Sequence, residues 1–170
     1  ENESRSIFKY IFNNFPDLNF DDCTIYRLLC KSINLKTKDT LEYLIKQFKK
    51  IRPKFLSKNS DHLIGLLSEA CYIHNIEMVK LITDLIIVNY EHKNVDFSLP
   101  FFNAAVAGSS EICQFLIDKK VSINFYSISL QVNSMASINK DIFDIIIKNA
   151  SEKVKENFIY CYLDEVIRAK

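Results

Sequence analysis

The sequence has no tryptophan, only 2 glycines and only 3 prolines among its 170 residues. Tight turns draw heavily on glycine and proline, so this scarcity argues against an all-β fold and against long disordered linkers. Charge of one sign is lacking too. The 22 Lys and Arg against 21 Asp and Glu leave a formal net charge of +1. A near-neutral chain exerts no global pull on nucleic acid or membranes, which disfavours nucleic acid as a partner and leaves only local patches. Long hydrophobic runs are missing. The longest apolar stretch, Leu81 to Val88, is interrupted by Asp84, and a bilayer span needs about 20 residues, so no membrane span is expected.

Chemical motifs are equally sparse. Cys23, Cys30, Cys71, Cys113 and Cys161 form no C-x-x-C pair and are odd in number, so they are expected as reduced thiols of a cytoplasmic or nuclear protein. No secretory pattern is visible, so Asn2-Glu3-Ser4 and Asn149-Ala150-Ser151 read as chance glycosylation tripeptides. His62, His74 and His92 belong to no H-E-x-x-H pattern and have no cysteine at zinc-ligand spacing. P-loop, G-x-G-x-x-G and G-x-S-x-G motifs are absent from the sequence. No catalytic residue, metal or cofactor is therefore assigned, and a non-enzymatic role is expected.

What the chain does have is a seven-residue block that recurs five times. It begins at Ser6, Asp39, Glu77, Glu111 and Asp141. Each block opens with Ser, Asp or Glu, carries a polar fourth residue, and has apolar residues at positions three, five and six. A recurrence of about 33 residues marks a repeat architecture. Within the fourth block, Ile112, Phe115 and Leu116 fall at helical spacing and are expected to share a core face. The opening acid suits a helix start, as a cap or as a partner of the dipole. Another apolar-periodic segment precedes each polar break, as in Ile25 to Ile33, Leu63 to Cys71 and Phe101 to Val106. The expected fold is all-α: stacked helix-turn-helix units in a solenoid of about five partial or complete repeats. Approximate units are 1–20 (partial), 21–58, 59–97, 98–126, 127–150 and 151–170 (partial or capping). The two partial units suggest a piece of a longer array.

The fourth block and its surroundings resemble the ankyrin repeat family. Leu99-Pro100-Phe101-Phe102 stands where that family has T-P-L-H, and Ala104-Ala105 matches its A-A pair. Gly108, Glu111-Ile112 and Phe115-Leu116-Ile117 follow in register, and Val121-Ser122-Ile123-Asn124 resembles the A-D-V-N ending. A weaker copy runs from Glu69-Ala70-Cys71 to Asn94-Val95-Asp96-Phe97. Two departures are plain. The family's helix-ending glycine is Lys120 here, so its left-handed cap is expected from another residue or not at all. Leu99 and Phe102 cannot make the Thr–His hydrogen bond, so loops are expected in place of β-hairpin fingers. Tetratricopeptide and HEAT arrays are the alternative helical-hairpin solenoids, with a structural role; the W-L-G-Y signature of the first is missing.

The resemblance implies a protein–protein interaction module, scaffold or adaptor, that holds another protein on its concave face. The matching late-helix positions are Asn34, Leu35, Tyr72, Ile73, Val106, Ala107, Ala136 and Ser137, and the connection tips offer Lys54, Tyr90, His92, Phe125 and Tyr126. Tyr72, Ile73 and Tyr126 stand out among them, since aromatic anchors often dominate interface energy. The alternative function rests on a basic run, Lys46, Lys49, Lys50, Arg52, Lys54 and Lys58, with no acid between Ile45 and Ser60. It would take an anionic ligand or nucleic acid. The same cations also suit a helix C-terminus and a solvated loop.

Overall fold

The computed structural model describes residues 3–15, 18–58, 60–90, 95–130 and 138–168. Eleven helices and no strand lie among the described residues. They are α1 (Glu3–Asn14), α2 (Asp22–Asn34), α3 (Lys38–Ile51), α4 (Pro53–Lys58), α5 (Ser60–Tyr72) and α6 (Ile76–Asn89). Then come α7 (Ser98–Val106), α8 (Ser110–Asp118), α9 (Phe125–Ser129), α10 (Lys140–Asn149) and α11 (Glu152–Arg168). The five recurring blocks fall in α1, α3, α6, α8 and α10.

Of the two roles open to the block acids, the helix starts show the partner of the dipole and not the cap. Asn75 and Asn139 do the capping, accepting from Met78 N (3.1 Å) and Ile142 N (3.0 Å). The block acids Asp39, Glu77, Glu111 and Asp141 stand two residues after the cap, in the first turn, where a carboxylate faces the positive end of the helix dipole. α2 uses Asp21, whose carboxylate accepts from Thr24 N at 2.7 Å; hydrogen bonding from the Thr24 side chain first, and from its amide second, holds it below the ordinary Asp range.

The buried side chains also shift the expected helix phase. Met78, Val79 and Ile82 of α6, and Ile112, Cys113 and Leu116 of α8, are buried. Core positions are thus two, three and six in the blocks of α3, α6 and α8, and two and six in α10. Position five is half-buried at Tyr43, Leu81, Phe115 and Ile145, and exposed at Tyr10. Phe115 is therefore a rim residue, not the core residue that its spacing suggested. It lies about 100° round the helix from the centre of the buried stripe, where a charged stem can cover it. Lys119 does so, with its Nζ 5.4 Å from the ring centroid.

The helices form two rows around one continuous core. α2, α5, α7, α9 and α11 pack in that order. In the second row α1 packs on α3, α6 on α8, and α8 on α10. Lys38 of α3 reaches Glu77 of α6 at 3.0 Å and bridges the gap in the sequence of contacts. The rows are joined by the pairs α2/α3, α5/α6 and α7/α8. Small residues permit the closest approach: Ala70 and Cys71 of α5, and Ala104 and Ala105 of α7, are fully buried. α1 itself has no buried residue and is held through Phe12, whose ring meets Phe20, Tyr43 and Phe48 at 5.7, 6.1 and 5.7 Å.

The connections are not all loops. The stretch from Lys50 to Asp61 contains α4. The two later connections touch each other: Asp96 and Ser122 make an isolated parallel bridge, Phe97 N donates to Ser122 O at 2.8 Å, and Asn124 N donates to Ser98 Oγ at 2.7 Å. Among the described residues no β-hairpin finger forms.

Candidate functional site

Three turns share one backbone solution. The first helix of each pair ends at Asn34, Tyr72 or Val106, followed by Leu35, Ile73 or Ala107. The next residue takes positive φ: Lys36 at 54°, His74 at 58° and Gly108 at 78°. Its amide then donates to Ile33, Cys71 or Ala105, and the following amide to Ser32, Ala70 or Ala104. This paired closure satisfies carbonyls that the helix end would leave orphaned. Only Gly108 adopts it without a Cβ penalty. Lys36 and His74 carry a cost of the order of 1 kcal/mol each, offset by the two hydrogen bonds.

Lys120 corrects a second expectation. It stands where the resembled family has glycine, yet it takes φ 54° itself and donates to Ile117 O at 2.9 Å. The left-handed closure therefore forms without glycine.

The shared turn geometry sets Asn34 and Leu35, Tyr72 and Ile73, and Val106 and Ala107 at corresponding places along the row. Tyr72 is 57% exposed and Leu35 53%. Asn34 is exposed, while Ile73, Val106 and Ala107 are half-buried between their neighbours. Neighbouring turns are tied together. The Lys38–Glu77 pair links the first turn to the second, with Lys80 also on Glu77 at 3.2 Å. Asn139 Nδ2 donates to Gly108 O at 3.2 Å and links the third turn to α10. The contact raises the Lys38 pKa and lowers that of Glu77, each mainly through their mutual hydrogen bond.

The tip residues are placed unevenly. Tyr126 is exposed, but Phe125 turns inward and meets Phe101 edge-on at 5.4 Å. Tyr90 caps α6, half-buried against the core. Phe125 and Tyr90 thus fill structural places that a short apolar-polar pattern cannot distinguish from open tips. His92, Ala136 and Ser137 lie outside the described residues, as does the side chain of Lys58.

The basic run is divided. Lys46, Lys49 and Lys50 are exposed and share one face of α3, with the last two in its final turn. Lys54 is exposed on α4. Arg52 is engaged elsewhere: its Nε donates to Phe20 O at 3.2 Å and its guanidinium stands 3.6 Å from Asp22. It fastens the segment between α1 and α2. Lys49 also borders an open groove of about 240 Å³ between α3 and α6, with Ile45, Leu81, Leu85 and Val88 as apolar walls.

One cluster escaped the sequence reading. His62 of α5 is stacked between Tyr26 of α2 (4.9 Å, 28°) and Phe55 of α4 (5.6 Å, 26°). Burial pushes the Tyr26 hydroxyl up to about 12, with a hydrogen bond to Cys30 adding to the shift. No periodic signal marks this stack, because its members are spread over three helices. Cys71 and Cys113 are buried, and burial raises both thiols, Cys113 to about 12. No group of three or more His, Cys, Asp or Glu able to hold a metal occurs among the described residues. No described helix is long and apolar enough to cross a membrane. Comparison with protein-family models, with curated proteins and with solved structures yields no match.

Proposed function

We propose that the chain is an ankyrin-like array of stacked helix pairs that binds another protein along its turn ridge. It is a non-enzymatic scaffold or adaptor. The observation that carries this reading is the threefold turn, which aligns Leu35, Tyr72 and Ile73, and Val106 and Ala107 along one edge. An exposed tyrosine and leucine on rigid, mutually tied turns lose little entropy on binding, and such aromatic anchors carry much of a typical interface. A short extended segment of a partner suits the ridge, because its side chains can follow successive turns. The free cysteines suit a reducing, cytoplasmic or nuclear setting.

The three exposed lysines on one face of α3 favour a second reading, an anionic ligand at Lys46, Lys49 and Lys50. The internal engagement of Arg52 shrinks that patch. Affinity capture from source-cell lysate, with and without nuclease, separates the two. The ridge reading expects a stoichiometric protein that survives nuclease and is lost with Tyr72→Glu. Capture that disappears with nuclease, or with Lys46, Lys49 and Lys50 changed to Glu, would transfer the function to the basic face.

A further inference from the structure

The second row is not evenly filled. α3 and α6 run side by side in the same direction. Lys38 and Glu77 join their first turns at 3.0 Å, while Ile45 and Lys49 line one wall of a groove whose other wall is Leu85 and Val88. That groove, of about 240 Å³, opens between the later turns of the two helices. α8 does not cover its far end. It has 9 residues against 14 in α6, and Lys119, the C-cap of α8, pairs with Asp84 of α6 at 2.8 Å. Val88 stands one turn beyond Asp84 and is 80% exposed. The opening thus follows from unequal helix lengths inside the array.

The charges around the groove are unevenly matched. At its N-terminal end Lys38, Glu42, Glu77 and Lys80 pair among themselves. On the α6 wall Asp84 is matched by Lys119. At the C-terminal end Lys46, Lys49 and Lys50 are exposed, and no carboxylate among the described residues pairs with them. The unmatched charge of the rim is therefore positive and confined to one end. Size narrows the occupant further. Ordinary small-molecule pockets hold about 300–1,000 Å³ and enclose the ligand, whereas this groove is smaller and open along its length. It suits a few side chains of a segment laid along it. Leu81, Leu85 and Val88 fall at i, i+4 and i+7 beside a parallel helix, a surface into which a third helix with the same spacing packs. Both wall helices present the negative ends of their dipoles at the lysine end, so an incoming helix is favoured with its N-terminus there.

We propose that the α3–α6 groove receives an amphipathic helix of a partner protein, antiparallel to both walls. Its apolar residues fill the groove and acids of its first turns meet Lys46, Lys49 and Lys50. The proposal rests on the second reading above for its lysines and names an acidic helix as the anion. It is separate from the turn ridge, which lies at the opposite end of the same helices.

The test is selection against the purified chain from a phage-displayed library of helical peptides of 14 residues, the length of α3. Enriched peptides are then measured by fluorescence anisotropy on the wild type and two variants. Val88→Glu puts a carboxylate in the groove, and Lys46→Glu/Lys49→Glu/Lys50→Glu reverses the rim. All four positions are exposed, and unchanged helical circular dichroism checks each fold. The expected family carries apolar residues at i, i+4 and i+7 with acids in the first turn, and weakens with salt. It is expected to lose about tenfold or more in affinity in either variant. A labelled single-stranded oligonucleotide separates the proposal from the reading beneath it, because it would need the lysines and not Val88. Peptides or oligonucleotide lost only in the lysine variant would overturn the groove and leave a plain anion site. Selection that yields no family needing both Val88 and the lysines, with no oligonucleotide bound, would overturn both.

Discussion

Gly65 sits inside α5, where glycine is unfavourable, and the reason it is there is Tyr26. A Cβ at this position would stand 2.7 Å from the Tyr26 hydroxyl oxygen, but 3.5 and 3.6 Å from the nearest ring carbons. The conflict is confined to one atom. Alanine in a helix interior gains about 0.5–1 kcal/mol over glycine. Against that, the Tyr26 ring must move several tenths of an ångström. It is held by its stack on His62 and by its hydrogen bond to Cys30. Distorting the rotamer costs about 0.5–1.5 kcal/mol and weakening the hydrogen bond about 1 kcal/mol. Gly65→Ala is therefore expected to destabilise by about 1 kcal/mol. In a Tyr26→Phe background the offending oxygen is gone and the nearest atom is the former 3.5 Å carbon. There the same change is expected to stabilise by about 0.5–1 kcal/mol. Urea unfolding of the four proteins gives the coupling, expected at about 1–2 kcal/mol. Equal effects of Gly65→Ala in both backgrounds would refute the reasoning.

Leu116→Ala, at a fully buried site, is expected to cost about 2–5 kcal/mol, while Phe115→Ala at the rim costs about 1–2 kcal/mol. Chemical denaturation that reverses this order would put position five back in the core. Thr83 is fully buried and its hydroxyl has no hydrogen-bond partner among the described residues, so Thr83→Val is expected to stabilise by about 1 kcal/mol. A loss of stability on calorimetry would show that the hydroxyl is satisfied. The Lys38–Glu77 pair predicts a pH window. The lowered Glu77 pKa adds stability that is present above the ordinary carboxylate value of 4.5 and fades as pH falls through the folded value. The raised Lys38 pKa adds stability that is present below the ordinary value of 10.5 and fades as pH rises through the folded value. Denaturation midpoints of Glu77→Gln across that range should lack both contributions, and an unchanged profile would deny the link between the first two turns.

The helices were legible because their signal is local. An i, i+3, i+4 stripe under a polar start defines a helix before any tertiary contact forms; all five blocks are helical, and in all but the first the opening residue stands in the helix's first turn. The polar breaks after Ile33, Cys71 and Val106, where Lys36, His74 and Gly108 take positive φ, were legible for the same reason. Failures came where the deciding contact is distant in sequence. Phe115 is apolar at helical spacing, yet only its neighbours decide whether that edge of the stripe is covered. Lys120 shows that a glycine rule can be overridden when carbonyls await a donor. Arg52 reads as one more cation of a run until Phe20 and Asp22, some 30 residues earlier, are brought to it. The Tyr26–His62–Phe55 stack and the Asp96–Ser122 bridge have no periodic signature at all. Of the candidate surface, the turn positions could be read from the blocks, while the inward turn of Phe125 and Tyr90 could not.

The most direct measurement of the central claim is site-specific photo-crosslinking to the captured protein. One probe replaces Tyr72 on the turn ridge. A second replaces Val88, which is 80% exposed in the last turn of α6, at the far end of the same helix pair. Partner binding along the turns predicts a crosslink from position 72 and none from position 88. A crosslink from 88 without one from 72 would contradict it and move the binding face to the α3–α6 groove.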